Sequence, residues 1–516
     1  MNGFRREASD ILDELDALRS ADAPTHGGRV LSYVYDSGLS ALDELAAEAA
    51  RRVQPVNGLD PTTFVSVAAM ERGVVGFARR VLGGEHGVPG GDVVVGSVTS
   101  GGTESCLLAV KSARDAWRAA RLGSPRVPRL VAPVTVHAAF HKAAHYFGLE
   151  LDLVPVDLAT GTLAPAAIEE RLGDDVALVV LSAPSYPFAS LDPIADVAAI
   201  TAERGIALHV DACIGGFALA FWPEPLPAWN LSVPGVTSLS ADLHKYGYAP
   251  KGASVLLTRG RDRQRHQYFA TTGWPGYPVV NPTMTGSKPA GPLAAAWAII
   301  EALGEPGFTE LTAQAARATA ALRATIDEIE GLRVVGSATG PLLAVATDEE
   351  VPEGSRVDPH HWADAARSAG WQLQLQPGLA QSDGTRLPHT THLTVTPVTE
   401  RVLPELAAAL VVAADEVRGI PQIDGGAALA GLVEALPGFG SEGGPSGLDA
   451  LAGVDGGLDS DTAAAILGAA GLLGGEGALP DRLAPVLALV EALPGPLTER
   501  LLVELLARVV EPPAVG

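Results

Sequence analysis

A histidine and a lysine stand next to each other between two strand-like segments of this sequence. The stretch Ser238–Gly252 reads S-L-S-A-D-L-H-K-Y-G-Y-A-P-K-G and leads into the apolar run Ala253–Thr258. An ammonium group buried between strands loses its hydration, so Lys245 needs a partner, a shifted pKa or a covalent use. An imine between Lys245 and the aldehyde of a cofactor would meet that need. The alternative is a surface hairpin with ordinary charges.

A second stretch with chemical potential is Gly91–Arg118, which predicts a strand, a glycine-rich turn and a helix. The free N–H groups of the first helical turn and the helix dipole both favour a phosphate. Gly101 and Gly102 let the backbone approach a ligand closely, and Thr103 adds a hydroxyl. Because the turn matches neither G-x-G-x-x-G nor a Walker loop, a plain helix cap by Ser100 or Thr103 is the alternative.

The middle of the chain alternates between apolar, strand-like runs and helix-like segments. The runs are Leu130–Val136, Leu151–Val156, Val176–Leu181, Ile206–Val210 and Val255–Leu257. The helix-like segments are Phe140–Phe147, Pro165–Leu172 and Pro193–Arg204. This alternation predicts an α/β fold with a mostly parallel sheet covered by helices, in which ligands bind at the carboxyl ends of the strands. Asp211 and His137 fall at two such ends.

Taken together, these strand ends match what pyridoxal phosphate requires. Its phosphate needs a helix N-terminus, its aldehyde a lysine, its pyridine nitrogen a carboxylate and its ring a flat side chain. Taken singly, Asp211 has an ordinary interpretation as a helix cap, and His137 as a buried, hydrogen-bonded histidine. Their combination in one sheet is the stronger indication. We identify no set of metal ligands.

Four segments carry a family resemblance. They read V-T-S-G-G-T-E-S, H-A-A-F-H-K-A-A-H-Y-F, V-D-A-C-I-G-G-F and S-L-S-A-D-L-H-K-Y-G-Y-A-P-K-G. In this order they resemble the sphingosine-1-phosphate lyase branch of the group II pyridoxal-phosphate-dependent decarboxylase family. The resemblance implies a fold-type I, PLP-dependent transferase-like α/β fold with a smaller α+β C-terminal domain, followed here by a helical tail.

The resemblance also implies a role for individual residues. Lys245 would form the Schiff base with the cofactor, Asp211 would bind the pyridine nitrogen and His137 would stack on the ring. The implied phosphate contacts are Gly102, Thr103 and His244 of one subunit, and Gly286 and Ser287 of the other subunit of a homodimer. The residues implied to lie near the substrate are Lys251, Tyr186 and Tyr35.

The motifs allow two reactions on a small-molecule amine, because both use the same cofactor. The resemblance favours retro-aldol cleavage of a phosphorylated β-hydroxy amine, such as a sphingoid-base phosphate, which releases an aldehyde. Decarboxylation of an amino acid is the alternative, and a catalytically silent scaffold is the third interpretation. Four basic residues could form an anion pocket, although the sequence does not show that they meet: Lys142, Lys251, Lys288 and Arg386.

Composition limits the partners of the chain. Its 516 residues carry a formal net charge of -24, which argues against nucleic acid and anionic membrane surfaces. Its two cysteines, Cys106 and Cys213, lie far apart in sequence, so we expect no disulfide framework and a reducing cytoplasm. We also expect no signal peptide and no membrane span.

The chain is predicted to have four parts. They are an N-terminal helical segment (1–60), a large PLP-binding domain (61–300), a small α+β domain (301–420) and an acidic helical extension (421–516). The extension has thirteen acidic residues against three arginines, and a disordered tail with transient helices is its alternative. His389 and His392 flank a strand of the small domain, and we expect them to face solvent rather than the cleft.

Overall fold

The computed structural model describes residues 5–85, 92–435, 458–472 and 480–512. Its helices up to residue 264 are α1 (Ala8–Arg19), α2 (Ser40–Arg52), α3 (Val65–Val81), α4 (Gly102–Ala119), α5 (Ala138–Phe147), α6 (Pro165–Glu169), α7 (Ile194–Glu203), α8 (Gly216–Leu219) and α9 (Arg261–Gln264). The later helices are α10 (Gly291–Asp327), α11 (Pro359–Ser368), α12 (Thr399–Val417), α13 (Gly425–Ala435), α14 (Ser460–Ala469), α15 (Ala484–Ala492) and α16 (Gly495–Val509).

The strands form one large sheet, one small sheet and two hairpins. Those of the large sheet are β1 (Val94–Thr99), β2 (Arg129–Pro133), β3 (Glu150–Val154), β4 (Val176–Ser182), β5 (Ala207–Asp211), β6 (Val236–Ala241) and β7 (Ser254–Arg259). The others are β8 (Phe269–Thr271), β9 (Val279–Asn281), β10 (Leu332–Val334), β11 (Leu342–Thr347), β12 (Gln374–Gln376), β13 (Leu379–Ala380), β14 (Arg386–Leu387) and β15 (Thr390–Thr394).

The large sheet has the order β1-β7-β6-β5-β4-β2-β3. Neighbouring strands from β6 to β3 are parallel, and β7 is antiparallel to both of its neighbours. This confirms the predicted α/β fold with a mostly parallel sheet. The parallel strands direct their carboxyl ends to one edge, which is where the site is expected.

Strand β4 shows why its sequence is apolar throughout. All seven of its residues are buried. Val179 and Leu181 belong to the core on one side of the sheet, which includes α3 and α7. Leu178 and Val180 belong to the core on the other side, with α4 and α5. Because successive side chains point to opposite faces, a strand covered on both sides needs apolar residues at every position.

The small sheet is antiparallel, in the order β10-β11-β15-β12, and packs against α10, α11 and α12. Trp362 and Trp371 are among its most deeply buried side chains. The long helix α10 connects this sheet to the large one and is interrupted at Gly304 (φ 53), two residues before Pro306. A proline in a helix removes a backbone donor and clashes with the preceding turn, which accounts for the break.

The C-terminal extension is helical where it is described, and it packs on the small domain. Helices α13, α14 and α16 share a small apolar core of their own. The Asp364 carboxylate on α11 accepts hydrogen bonds from the backbone N–H groups of Leu483 and Ala484, both at 2.9 Å, and so caps α15. The prediction of a helical tail is therefore confirmed. None of the described helices combines the length and the apolar character needed to cross a membrane.

Candidate active site

The carboxyl edge of the large sheet holds the residues that the sequence singled out. Asp211 is the last residue of β5, His137 immediately precedes α5, and Lys245 follows β6 in a turn. Lys245, His137 and Tyr186 line one cavity of about 500 Å³, together with Tyr35. The fold thus brings together side chains that are up to 210 residues apart in the sequence, as the parallel-sheet rule predicts.

Lys245 has an anionic partner that the sequence analysis did not identify. Its Nζ atom lies 3.2 Å from Oδ2 of Asp242, whose side chain is only 2% exposed. His244 Nε2 lies 3.5 Å from the same oxygen, while His244 Nδ1 accepts a hydrogen bond from Ala253 N–H. Burial is the largest single influence and lowers the pKa of Lys245, but the neighbouring acidic groups, Asp242 first among them, together outweigh burial and raise it. Lys245 is therefore kept in its charged form within a polar cluster.

Asp211 is buried and remains ionised. Its Oδ1 atom accepts hydrogen bonds from Cys213 N–H at 3.0 Å and from the Ser240 hydroxyl at 3.4 Å. Burial favours the neutral acid, but the charge of His137 and the bond from Cys213 together lower the pKa of Asp211. A fixed carboxylate at a strand end can keep a bound cationic ring nitrogen protonated.

The glycine-rich turn is packed against Asp242. A Cβ atom on Gly102 would lie 2.6 Å and 2.8 Å from the two Asp242 carboxylate oxygens and 2.9 Å from Cys213 Sγ, so no larger residue fits. Glu104 shapes the turn, because its Oε2 accepts both the N–H and the hydroxyl of Ser100. Thr103 is exposed in the first turn of α4. The arrangement presents the amino end of α4 to an anion.

Two histidines of the small domain correct one expectation. His392 is fully buried and stacks on Tyr186, with ring centroids 4.1 Å apart, so it does not face solvent. Burial lowers the pKa of His392 to about 3, which keeps it neutral. His389 is half-buried, and its Nε2 lies 2.7 Å from Asp358 Oδ2. The solvent-facing prediction failed because β15 is an inner strand of the small sheet, between β11 and β12.

Lys251 and Tyr35 meet beside Lys245. Lys251 Nζ donates to the carbonyl oxygens of Tyr33 at 3.1 Å and of His244 at 3.2 Å, and it lies 4.6 Å from the centre of the Tyr35 ring. Burial and the neighbouring Lys245 charge lower the pKa of Lys251 to about 8. Burial raises the pKa of Tyr35 to about 12, so this phenol stays protonated. The pair offers one group able to accept a proton and one able to donate.

The structure does not bring the other basic candidates together. Arg386 pairs with Glu491 of the C-terminal extension, and Lys142 lies over the ring of Tyr146. Lys288 lies against Gly58, beside the loop that contains Gly286 and Ser287. No contact among the described residues joins these lysines and Arg386, so their anion pocket stays a prediction. The four residues lie on different elements. Of the four, only Lys251 lies beside Lys245 at the carboxyl edge of the large sheet.

Gly286 and Ser287 lie outside the cavity of their own chain. The Ser287 hydroxyl accepts a hydrogen bond from the Asn57 side chain at 3.2 Å, and Met284 N–H donates to Glu104 Oε1 at 2.7 Å. Glu104 therefore links this loop to the glycine-rich turn. Their predicted contact with a second subunit stays a prediction.

Several site residues had weaker signals in the sequence. Asp242 stands three residues before Lys245, and Glu104 stands in S-G-G-T-E-S, but neither spacing shows a contact by itself. Cys106 and Cys213 lie 107 residues apart, yet their Sγ atoms are 4.0 Å apart and both are free thiols. Together with Asp211 they bring three ligand atoms within 4.8 Å of one another, next to the site already described.

Comparison with known proteins identifies the family of the chain. Residues 57–342 match the pyridoxal-dependent decarboxylase conserved domain, which is more than half of the chain. The chain belongs to this family. It is a PLP-dependent carbon–carbon lyase, and its cofactor is pyridoxal 5'-phosphate. Residues 445–508 also match a domain described as the C-terminal putative HTH domain of pyridoxal-dependent enzymes, which assigns a family to the extension that the sequence analysis left unexplained.

Individual relatives agree with this assignment. The sphingosine-1-phosphate lyase of Oryza sativa is 33% identical over 395 residues, which cover 75% of this chain and 69% of that protein. The Arabidopsis thaliana sphingosine-1-phosphate lyase is 33% identical over 78% of this chain and 72% of its own. Among solved structures, the Burkholderia pseudomallei sphingosine-1-phosphate lyase has a TM-score of 0.73 and 31% identity, covering 81% of this chain and 93% of that one. A Lactobacillus brevis glutamate decarboxylase at 18% identity (TM-score 0.70) supports the fold alone.

The PLP-dependent lyase has side chains that fit its cofactor. Asp242 Oδ1 is buried without a hydrogen-bond partner among the described residues, so the cluster around Lys245 has an acceptor that a bound ligand can use. Lys245 offers an amine that suits the cofactor aldehyde, Asp211 a carboxylate that suits its ring nitrogen, and the amino end of α4 at Gly102 an anion site that suits its phosphate. These individual roles stay predictions. The observed donors and acceptors thus agree with pyridoxal phosphate.

Replacing Gly102 by alanine is expected to damage cofactor binding. The added Cβ would overlap the Asp242 carboxylate, and overpacking of this kind costs about 1–3 kcal/mol. We expect the dissociation constant for pyridoxal phosphate, measured by absorbance titration, to rise about tenfold or more. Gly76→Ala is the control, because a Cβ there meets no atom within 4 Å. Unchanged cofactor affinity and unchanged thermal stability in Gly102→Ala would contradict the close packing.

Proposed function

We propose that this lyase cleaves a phosphorylated β-hydroxy amine with an apolar chain, of the sphingoid-base phosphate class, by retro-aldol chemistry. The observation that carries the proposal is a single cavity in which Lys245 faces an apolar wall. Lys251 is not part of the cavity lining, but its Nζ donates to the carbonyl oxygen of His244, the residue before Lys245. The names of the relatives, sphingosine-1-phosphate lyases, support the phosphate and the long chain of the substrate. Decarboxylation of an amino acid is the competing outcome of the test below.

The wall suits an alkyl chain better than a polar amino-acid side chain. Five apolar residues line the cavity beyond Lys245: Val134, Phe188, Leu375, Leu379 and Leu387. Burial of apolar surface contributes about 25 cal/mol per Å², so a hydrocarbon chain lying on this wall gains several kcal/mol of binding free energy. A charged side chain would lose hydration there without a partner.

We assign proton transfer to Lys251 and Tyr35, the pair beside Lys245. When bound, pyridoxal phosphate holds the substrate amine covalently and draws electrons from its α-carbon. The neutral form of Lys251 accepts the proton of the substrate β-hydroxyl, while the Cα–Cβ bond breaks and the β-carbon leaves as an aldehyde. The electron pair of that bond stays on the α-carbon, which then takes up one proton, so that the amine fragment is released. The protonated Tyr35 and the uncharged Tyr186 remain hydrogen-bond donors that orient the substrate oxygen; burial raises the pKa of Tyr186.

The remaining contacts complete the proposal. His137 lines the cavity and is proposed to stack on the cofactor ring, and Asp211 is proposed to keep the ring nitrogen protonated. Gly102, Thr103 and His244 are proposed to hold the cofactor phosphate. We further propose a homodimer in which Gly286 and Ser287 reach the phosphate of the other subunit, working in the reducing cytoplasm. Sedimentation of the full chain with and without Ser287→Trp tests the dimer contact.

The experiment incubates the PLP-loaded enzyme with a sphingoid-base phosphate and, separately, with a panel of amino acids. Aldehyde formation from the amino alcohol, with one phosphoethanolamine released per aldehyde, supports the proposal. Carbon dioxide release from an amino acid without aldehyde formation would assign the chain to the carboxy-lyases instead. An unphosphorylated sphingoid base in parallel shows whether the phosphate is recognised.

The pH dependence tests the assignment of Lys251. Because the pKa of Lys251 is lowered to about 8, its neutral, proton-accepting form is scarce at pH 6 and dominates above pH 8. We expect kcat/KM to rise about tenfold per pH unit below the pKa and to level off above it. Lys251→Arg keeps the charge but cannot lose its proton, so it should lack this rise.

Lys142→Arg is the matched control for the pH profile, because Lys142 contacts Tyr146 rather than the lysine cluster. Its profile should follow that of the wild-type enzyme. A Lys251→Arg enzyme that keeps the full rise between pH 6 and 8 would show that another group accepts the proton.

A further inference from the structure

One hairpin separates the active-site cavity from a second cavity. Leu379 on β13 and Leu387 on β14 line the active-site cavity. Leu387 also lines a cavity of about 780 Å³, which is bounded by the small sheet, by residues 419–422 and by Glu491 of the extension. The apolar wall of the active site is therefore one hairpin thick, with open space behind it into which it can move.

On the side of the large domain, two glutamines hold this wall in place. Gln381 forms a pair of hydrogen bonds with the backbone of Val156: its Oε1 accepts from the N–H at 2.8 Å and its Nε2 donates to the carbonyl at 2.9 Å. Gln376 Nε2 donates to the Pro187 carbonyl at 2.9 Å. These bonds hold the segment before β13 and the turn after it. Leu387 of β14 packs into the apolar core of the large domain, but among the described residues no hydrogen bond joins β14 to the large sheet.

The third tie comes from the C-terminal extension. Arg386 on β14 donates to Glu491 Oε2 at 2.7 Å. The Glu491 side chain is only 10% exposed, and the same oxygen lies 3.3 Å from the position of a Cβ on Gly378. Its other oxygen, Oε1, is buried without a partner among the described residues. A buried carboxylate is thus committed to one contact, with the back of the hairpin.

The position of Glu491 is itself fixed by the core. Glu491 lies in the last turn of α15, and the first turn of that helix is capped by Asp364 of α11. A helix of nine residues held at its amino end by the small domain places its carboxyl end at a defined distance from the hairpin. The extension therefore reaches the active-site wall through a rigid element.

We propose that Glu491 of the C-terminal extension is a positioning residue for the active site, which holds the Leu379–Leu387 wall against the apolar part of the substrate. The extension thereby determines which lengths of the substrate's alkyl chain bind well. The identity of the substrate in this proposal rests on the function proposed above, whereas the contact between extension and hairpin does not.

The ion pair between Arg386 and Glu491 restrains the position of β14. Without the Glu491 charge, Arg386 loses its ion-pair partner among the described residues, and β14 becomes freer to move towards the second cavity. Leu387 would then recede from the substrate and lose contact area, while Lys245 and Asp211 on the large sheet stay in place. Binding of the substrate's alkyl chain should weaken, and the rate constant for bond breaking should not change.

The first measurement is hydrogen–deuterium exchange of the PLP-loaded full chain without substrate. In Glu491→Gln and in Arg386→Gln, amides of residues 377–387 should exchange about threefold faster than in the wild type, as expected for loss of one part-exposed ion pair. Arg386→Lys should restore most of the protection. Glu434→Gln makes the same chemical change at an exposed site on α13 and should leave this segment unchanged.

The second measurement compares KM and kcat for substrates with long and short apolar chains. Glu491→Gln should raise KM for the long chain about threefold, leave kcat unchanged and leave KM for the short chain as in the wild type. Unchanged exchange at 377–387 in both variants overturns the proposal. Faster exchange with equal KM values overturns the specificity role. If the wild type cleaves no amino alcohol, the proposed function fails, and exchange still decides whether Glu491 holds the wall.

Discussion

Lys245→Ala is expected to abolish turnover and the Schiff-base absorption band of the enzyme. No other amine can replace it without moving, because Lys251 Nζ is engaged with the carbonyl oxygens of Tyr33 and His244. Removal of a covalent catalytic group of this kind lowers kcat by about 10³-fold or more. Absorbance spectra of the PLP-loaded protein, recorded with single-turnover kinetics, measure both effects.

The variant should still bind the cofactor, since the proposed phosphate and ring contacts of Gly102, His137 and Asp211 are unchanged. The matched control is Lys111→Ala. It removes a half-buried lysine of α4 that pairs with Asp115 and contacts no residue of the cavity. A Lys245→Ala enzyme that kept the wild-type absorption band would show that a different amine forms the Schiff base.

Asp211→Asn is expected to keep the fold and lose most of the activity. An asparagine oxygen still accepts the hydrogen bond from Cys213 N–H, so the strand end is preserved. The amide cannot balance a positive charge, and loss of one preorganised electrostatic partner in a dry site lowers kcat by about 10²–10³-fold. Steady-state kinetics with the holoenzyme measure the loss, and circular dichroism checks the fold.

The control for Asp211→Asn is Asp196→Asn, which makes the same change at an exposed position of α7. Its kcat should equal that of the wild type. If Asp211→Asn retained wild-type kcat, the carboxylate would be structural, and the depressed pKa that follows from His137 and Cys213 would serve stability rather than catalysis.

Local sequence patterns predicted the large sheet well because each pattern has a local cause. Val176–Leu181 is apolar at every position, and only a strand covered on both faces needs this composition. Predicted segment ends differ from the observed ones by a few residues: α6 ends at Glu169 rather than Leu172. Helix ends depend on capping contacts that the pattern of hydrophobic residues does not encode.

Patterns failed where a contact joins distant elements. His392 was expected to face solvent because polar residues usually do, yet it lies fully buried beneath Tyr186 in the middle of the small sheet. Arg386 was grouped with three lysines on charge alone, and its actual partner is Glu491, 105 residues further along the chain. Neither partner follows from spacing.

By itself, the sequence predicted the fold class and, with the family resemblance, the cofactor. It also singled out Lys245, Asp211 and His137, because strand ends of a parallel sheet converge wherever their residues occur in sequence. Only the tertiary structure decided which charges meet. It placed the Asp242 carboxylate 3.2 Å from Lys245, lowered the pKa of Lys251 to about 8 by burial beside that lysine, and set Glu491 behind the apolar wall. These are consequences of packing between elements, and electrostatic interactions depend on distance and burial rather than on order along the chain.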